Sequence, residues 1–394
     1  MNAKNISILA IITLVVVGLT FYIVLQQQRF VADTPAQKQA FPKLAGALDK
    51  VAMIEVKTPE KNEFTLVRGE EDWVLKEKYD YPVALEKVRK LLLGFAQLEL
   101  LEPKTQNPKL YSKIGVQAVS EANADSVLVT LKDSAGDALE SLIIGHDQIA
   151  KTDSTLKEIY VRKPDEQQSW LALGLLPVDK KPIDWLDKEI VNLEAEKIRQ
   201  VRITHAAGEQ ALIFKDSPDD EQFKLAELPE DSKAKTYVLR QIASTLSHLN
   251  LEDVSVPSEI KFDEEVTTAI FTAFNGLEIT LQLVEQDGKH YAQLNADLIE
   301  AYQEDTEEVE DAEAADDTEE EETEAELKER VLSLNKRFNN WVFVLPSYKA
   351  TNITQSPQDL IEAVKEEAEA EAIKGGDGAN QLFEFGSPST AVVP

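Results

Sequence analysis

The chain has 394 residues, enough for two to three domains, with 43% apolar residues and a formal net charge of −31 from 41 Lys+Arg against 72 Asp+Glu. The apolar content excludes a wholly disordered chain, and the acidity argues against direct nucleic-acid binding, which needs basic surface to displace counterions. The absence of Cys excludes disulfide frameworks, thiolate metal sites, Cys nucleophiles, iron–sulfur clusters and lipid anchoring through Cys.

Residues Ile6–Leu25 form a run of 20 without charge. At about 1.5 Å rise per residue they would cover about 30 Å, the hydrocarbon thickness of a bilayer. The reading is an uncleaved, single-pass membrane anchor marked by Ile6, Leu14, Gly18, Tyr22 and Leu25. The run exceeds a signal-peptide core, and Gln26-Gln27-Gln28-Arg29 offers no small-residue cleavage site. Lys4 on the short side favours a cytoplasmic N-terminus, with the bulk of the chain periplasmic. Residues 26–47, with Pro35 and Pro42, read as a linker.

The next 300 or so residues read as one α+β unit written twice, over 48–181 and 197–350. Alternating segments at Val51–Val56, Phe64–Arg68 and Trp73–Leu75 are matched by Ile198–Ile203, Ala211–Lys215 and Phe223–Leu225. An amphipathic helix follows in each copy: Val88, Leu91, Phe95 and Leu98 share one face, as do Leu239, Ile242, Leu246 and Leu249. Pro82 suits the first turn of the earlier helix and Ser232 a cap for the later. Hairpins follow, turning at Asp133–Gly136 and at Asn275-Gly276. Further strands surround Tyr160 and Tyr291, and the copies close on Trp170 to Pro177 and Trp341 to Pro346. The fold class expected is thus α+β: a transmembrane helix, then two tandem units, each an antiparallel sheet with one main amphipathic helix. Residues 182–196, with Trp185, Leu186, Ile190 and Leu193 at near-helical spacing, read as a packed connector.

Glu304–Glu326 holds 15 acidic residues and no basic one. Such a run repels itself and buries nothing, so residues 298–326 read as a disordered insertion into the second unit. Leu327–Phe338 reads as a helix leading back to the strand at Trp341. A C-terminal helix is expected over 351–375, opened by Ser356, Pro357 and Asp359 in capping-box order, and a disordered tail over 376–394.

Catalytic constellations do not emerge. His146, His205, His248 and His290 make no HExxH spacing, and neither a G-x-S-x-G elbow nor a Walker loop is present. Asp216, Asp219, Asp220 and Glu221 read as a solvated turn around Pro218, and the Trp residues at 73, 170, 185 and 341 read as core. No catalytic, cofactor-binding or metal-ligating residue is assigned, and no cofactor is expected.

Trp73-Val-Leu75, Tyr81-Pro82 before the helix, Ile143-Ile-Gly145, Tyr160-Val161 and Ile183-Asp-Trp-Leu-Asp187 together resemble a bacterial family, domain of unknown function 4340, over about residues 48–350. The acidic run departs from the family's pattern. The resemblance implies a non-enzymatic accessory protein, anchored in the inner membrane and facing the periplasm, associated with ABC-type transport systems. Its implied partners are the permease and ATPase subunits and inner-membrane lipid. The family carries no established catalytic residues to transfer. A stand-alone envelope protein binding polysaccharide or peptidoglycan is the alternative, and a carboxylate-dependent hydrolase a third reading.

Overall fold

A computed structural model describes residues 38–59, 63–150, 153–263, 265–299 and 322–363. Ten strands form the first sheet: β1 (Lys38–Gln39), β2 (Met53–Lys57), β3 (Glu63–Arg68), β4 (Trp73–Leu75), β5 (Tyr81–Pro82), β6 (Glu99–Pro103), β7 (Val127–Lys132), β8 (Ala138–Ile149), β9 (Lys157–Arg162) and β10 (Ser169–Gly174). Their spatial order is β1-β6-β10-β9-β8-β7-β2-β3-β4-β5, antiparallel throughout. After the short β11 (Glu189–Val191), the second sheet draws on β12 (Ile198–Thr204), β13 (Gln210–Phe214) and β14 (Lys224–Leu225). Beyond β15 (Ser232–Ala234) and β16 (Leu249–Asn250), it adds β17 (Asp253–Ser255), β18 (Thr267–Ala273), β19 (Leu277–Gln286), β20 (Lys289–Leu298) and β21 (Val342–Leu345). Its order is β14-β13-β12-β18-β19-β20-β21-β17. This repeats the run β4-β3-β2-β7-β8-β9-β10-β6 of the first sheet, strand for strand.

The α+β expectation is corrected by this architecture: the described residues are mostly antiparallel β-sheet. Segments to which no strand was assigned are short paired strands, among them β5, β6 and β17. Two to five residues are too few to show a period in sequence, so their backbone pairing was hidden. No helix among the described residues is long and apolar enough to cross a membrane. Ile6, Leu14, Gly18, Tyr22 and Leu25, read as an anchor, lie outside the described residues.

Helix α1 (Leu85–Gln97) carries Val88, Leu91 and Phe95 on its buried face, and Leu98 is buried just beyond its end. Helix α2 (Thr236–Ala243) is shorter and tightens into a 3₁₀ turn at Ser244–Leu246; Leu239, Ile242, Leu246 and Leu249 are all buried. Neither expected starting residue begins its helix. Pro82 lies in β5, and Ser232 lies in β15, which pairs with β22 (Ile361–Ala363). Strand residues on the facing side of each sheet alternate inward, such as Ile54 and Val56 in β2 or Leu277, Ile279, Leu281 and Leu283 in β19. One continuous apolar core includes both helices and both sheets.

Three segments differ from expectation. The linker ends earlier: β1 pairs with β6, and Phe41 stacks on Phe95 with centroids 5.7 Å apart. Part of the acidic run is helical, because α3 (Glu324–Phe338) begins with a capping box between Thr323 and Glu326. The Ser356–Asp359 capping box forms, but opens only the 3₁₀ turn Pro357–Leu360 before β22. A separate helix, α4 (Ser347–Thr354), precedes it. The remainder of the insertion, at 300–321, and of the C-terminal segments, at 364–394, lies outside the described residues.

Candidate functional site

The connector and one loop fasten the sheets together. Trp185 is fully buried and donates from Nε1 to the Asp179 carbonyl (2.9 Å). The connector runs through a 3₁₀ turn (Pro182–Trp185) and then an extended segment. It bonds to the first unit through Ala84 N to Trp185 O (2.8 Å) and Asp187 N to Pro82 O (3.1 Å). It bonds to the second unit by the pairing of β11 with β16. Arg337 of α3 clamps it, donating to the Asp187 carboxylate (3.1 Å) and the Glu189 carbonyl (2.7 Å).

Between Leu75 and β5 the chain crosses to the second sheet. Lys78 pairs with Asp253 at 2.6 Å, and the Tyr79 hydroxyl donates to Glu259 at 2.6 Å. Trp341 Nε1 donates to the Tyr79 carbonyl (3.3 Å), and the Tyr81 ring meets Trp341 edge-on at 4.9 Å. Tyr79 and Asp80 both adopt left-handed backbone, φ 58° and 57°. Non-glycine residues rarely do so, and the cost is of order 1–3 kcal/mol each. Two in succession turn Tyr79 outward to Glu259 while Tyr81 points into the core. The bond from Tyr79 holds the Glu259 carboxyl below its usual range, and the same bond pushes the Tyr79 phenol up.

Each unit also carries a cleft between its helix and the loop that follows the second strand of its helix-side edge. In the first, about 440 Å³, Asp49, Arg68, Trp73 and Arg89 surround the loop Glu70-Glu71-Asp72. In the second, about 600 Å³, Glu196, Lys215, Phe223 and Arg240 surround Asp219-Asp220-Glu221. The residues correspond one for one along the shared strand order. Their ties differ. Arg68 donates to the Asp49 carbonyl (3.0 Å), and Glu71 is taken by Lys336 from α3. In the second cleft Arg240 pairs with Glu196 at 2.5 Å. Lys215, only 5% exposed, lies 5.0 Å from the centroid of the Phe223 ring.

The acidic turn lines the second cleft, and the Asp220 carboxylate accepts the Asp216 and Ser217 N–H groups (3.0 and 3.3 Å). These bonds lower the Asp220 pKa. His248 is an exposed turn residue at φ 45°, 3.8 Å from Glu194, and His146 stands 3.4 Å from Asp125. The four His are not brought together by any cluster of three or more potential metal ligands among the described residues. Trp73 and Trp185 are buried, whereas Trp170 and Trp341 pack partly exposed at the core's margin. Sequence reasoning passed over Lys215, Arg240 and Tyr237. The match of Phe64–Arg68 with Ala211–Lys215 already sets Lys215 opposite Arg68, and the helix match sets Arg240 opposite Arg89, but neither pairing by itself marks a cleft.

The short segments behind the resemblance have structural reasons. A Cβ on Gly145 would overlap the Ile114 carbonyl oxygen, so this strand position must be bare for the loop beneath it to pack. The residue after Val161, Arg162, is buried and donates to the carbonyls of Val116, Lys163, Pro164 and Glu166, pinning that loop. A family model described as Domain of unknown function (DUF4340) matches residues 73–292. That is more than half of the chain. The chain belongs to this family. No curated protein and no solved structure matches it. The matched span is narrower than 48–350 at both ends, yet it holds the connector, the Tyr79 loop and the whole second cleft.

Proposed function

We propose that this family member is a non-enzymatic accessory component of an ABC-type transport complex, held at the inner membrane with its bulk in the periplasm. It acts as a scaffold that presents a binding surface to a partner or substrate. The observation that carries the reading is the double fastening of the two sheets by the connector and the Tyr79 loop. A scaffold needs a fixed relation between its faces, and one continuous core with charged and aromatic ties across it supplies that. The membrane location is supported by the uncharged run Ile6–Leu25, and the transport association by the resemblance of the chain's short structural segments to this family.

Affinity purification of the full chain in mild detergent tests the reading. Co-recovery of permease and ATPase subunits is expected. Recovery of the chain without them, under conditions that keep other transport complexes intact, would overturn it. Retention of polysaccharide or peptidoglycan fragments instead would favour the stand-alone envelope protein.

A further inference from the structure

The two sheets differ at one edge. In the first, β5 covers the outer side of β4: Leu75 lies opposite Tyr81, and Val83 N donates to the Trp73 carbonyl (2.9 Å). In the second, Leu225 of β14 holds the place of Leu75, facing Ile213 as Leu75 faces Leu66. The counterpart of β5 is β15, but β15 pairs instead with β22, and among the described residues no strand lies outside β14. Ala226 N donates to the Leu212 carbonyl (2.9 Å), so Ala226 and Leu212 are the hydrogen-bonded pair, and the N–H and C=O of Leu225 turn outward. Such an edge is a template for a further strand. Beside it lies a cavity of about 360 Å³ walled by Leu212, Leu225, Ala226, Pro229, Pro357 and Ile361. The segment leading into β22 sits on the second unit as the connector sits on the first. Lys235 N donates to the Leu360 carbonyl (2.8 Å) as Ala84 N does to that of Trp185 (2.8 Å), and Leu360 and Trp185 are both fully buried. The chain therefore leaves β22 at Ala363, two residues past a wall of the cavity, with residues 364–394 still to follow.

From this layout we infer that residues 381–385 of the same chain dock on β14 as its missing outer strand, with Phe383 and Phe385 in the cavity. The segment reads Gln-Leu-Phe-Glu-Phe, and its two Phe are the only aromatic residues after Ala363. Their spacing of two puts both on one side of a strand, toward apolar walls, while the backbone meets the outward groups of Leu225. The 17 residues at 364–380 have, as a flexible linker, an r.m.s. reach of about 23 Å, enough to return to a cavity that borders their start. On its own so acidic and small a stretch buries too little to order. Tethering beside an open edge raises its local concentration to about the millimolar range, where a short strand suffices. The docked strand closes the second sheet as β5 closes the first.

Hydrogen–deuterium exchange of the full chain in mild detergent, read by mass spectrometry at short labelling times, tests this. It needs no transport partner, so its failure is separate from failure of the proposed function. Peptides covering 381–385 and 224–226 are expected to exchange at least about tenfold more slowly than in the double variant Phe383→Asp, Phe385→Asp, the protection a tethered strand gains on pairing. The control double variant Val392→Asp, Val393→Asp should leave both stretches protected. Exchange of 381–385 in the native chain at the rate of the Phe variant would overturn the inference. So would protection at 224–226 that survives in the Phe variant, since another segment would then cover β14. Protection that grows with protein concentration would also overturn it, by assigning the strand to a second copy of the chain.

Discussion

Tyr79 and Glu259 make a hydrogen bond between the two units whose worth depends on pH. Glu259 has a folded pKa below its ordinary value near 4.5, so its contribution is present above that value and lost as pH falls through the folded one. The Tyr79 phenol is raised above its ordinary 10, so its contribution holds below pH 10 and is lost as pH rises through the folded value. The gap in melting temperature between the native chain and Glu259→Gln should be widest near neutrality and shrink below pH 4.5. A gap independent of pH would show that the bond does not couple to folding. Lys349 makes a different kind of tie. It is 8% exposed and donates to the Ser244 and Ser247 carbonyls (2.9 and 2.7 Å), closing the end of the second unit's helix. Lys349→Met keeps the stem but strands two carbonyls, so urea denaturation should report a loss of about 1–3 kcal/mol. Neither role could be read along the chain, because each side chain meets its partner across about a hundred residues or more.

At the scale of elements, helix α1 shows where propensity and packing oppose each other. Gly94 costs helix stability relative to Ala by about 1 kcal/mol. Yet a Cβ there would overlap the Leu175 carbonyl oxygen, a backbone atom that cannot swing aside. Gly94→Ala is therefore expected to lower the melting temperature, and a rise would disprove the close approach. Phe95→Ala removes a fully buried ring stacked on Phe41 and should cost about 3–5 kcal/mol, measured in the same way. Both amphipathic helices and both hairpins were legible in the sequence, because each has enough residues to display its period or its turn signal. The edge strands were not. Residues such as Tyr81-Pro82 and Asp253–Ser255 are extended because a neighbouring strand pairs with them, not because of any pattern of their own. The same holds for Ile361–Ala363, which followed a correctly read capping box but pairs with β15.

For the whole molecule, the continuous core predicts that the two sheets melt together. Calorimetry of the full chain should show one cooperative transition. Tyr81 is 1% exposed and meets both Trp341 and Phe343 across the join, so Tyr81→Ala should cost about 3–5 kcal/mol and separate the transition into two. Two transitions in the native chain would mean that the fastening is weaker than its contacts indicate. The sequence by itself determined the alternating strands, the helices and the parallel order of elements in the two halves, because local periodicity is set by which residues must face away from water. It also carried the short segments on which the resemblance to the family rests. Only the tertiary structure decided that β-sheet dominates, that the Tyr79 loop crosses to Glu259, and that Lys215 is buried over the Phe223 ring in one cleft while Arg68 is exposed and bonded to a carbonyl in the other. Those facts depend on which distant backbone supplies a hydrogen bond or a wall, and distance along the chain holds no record of that.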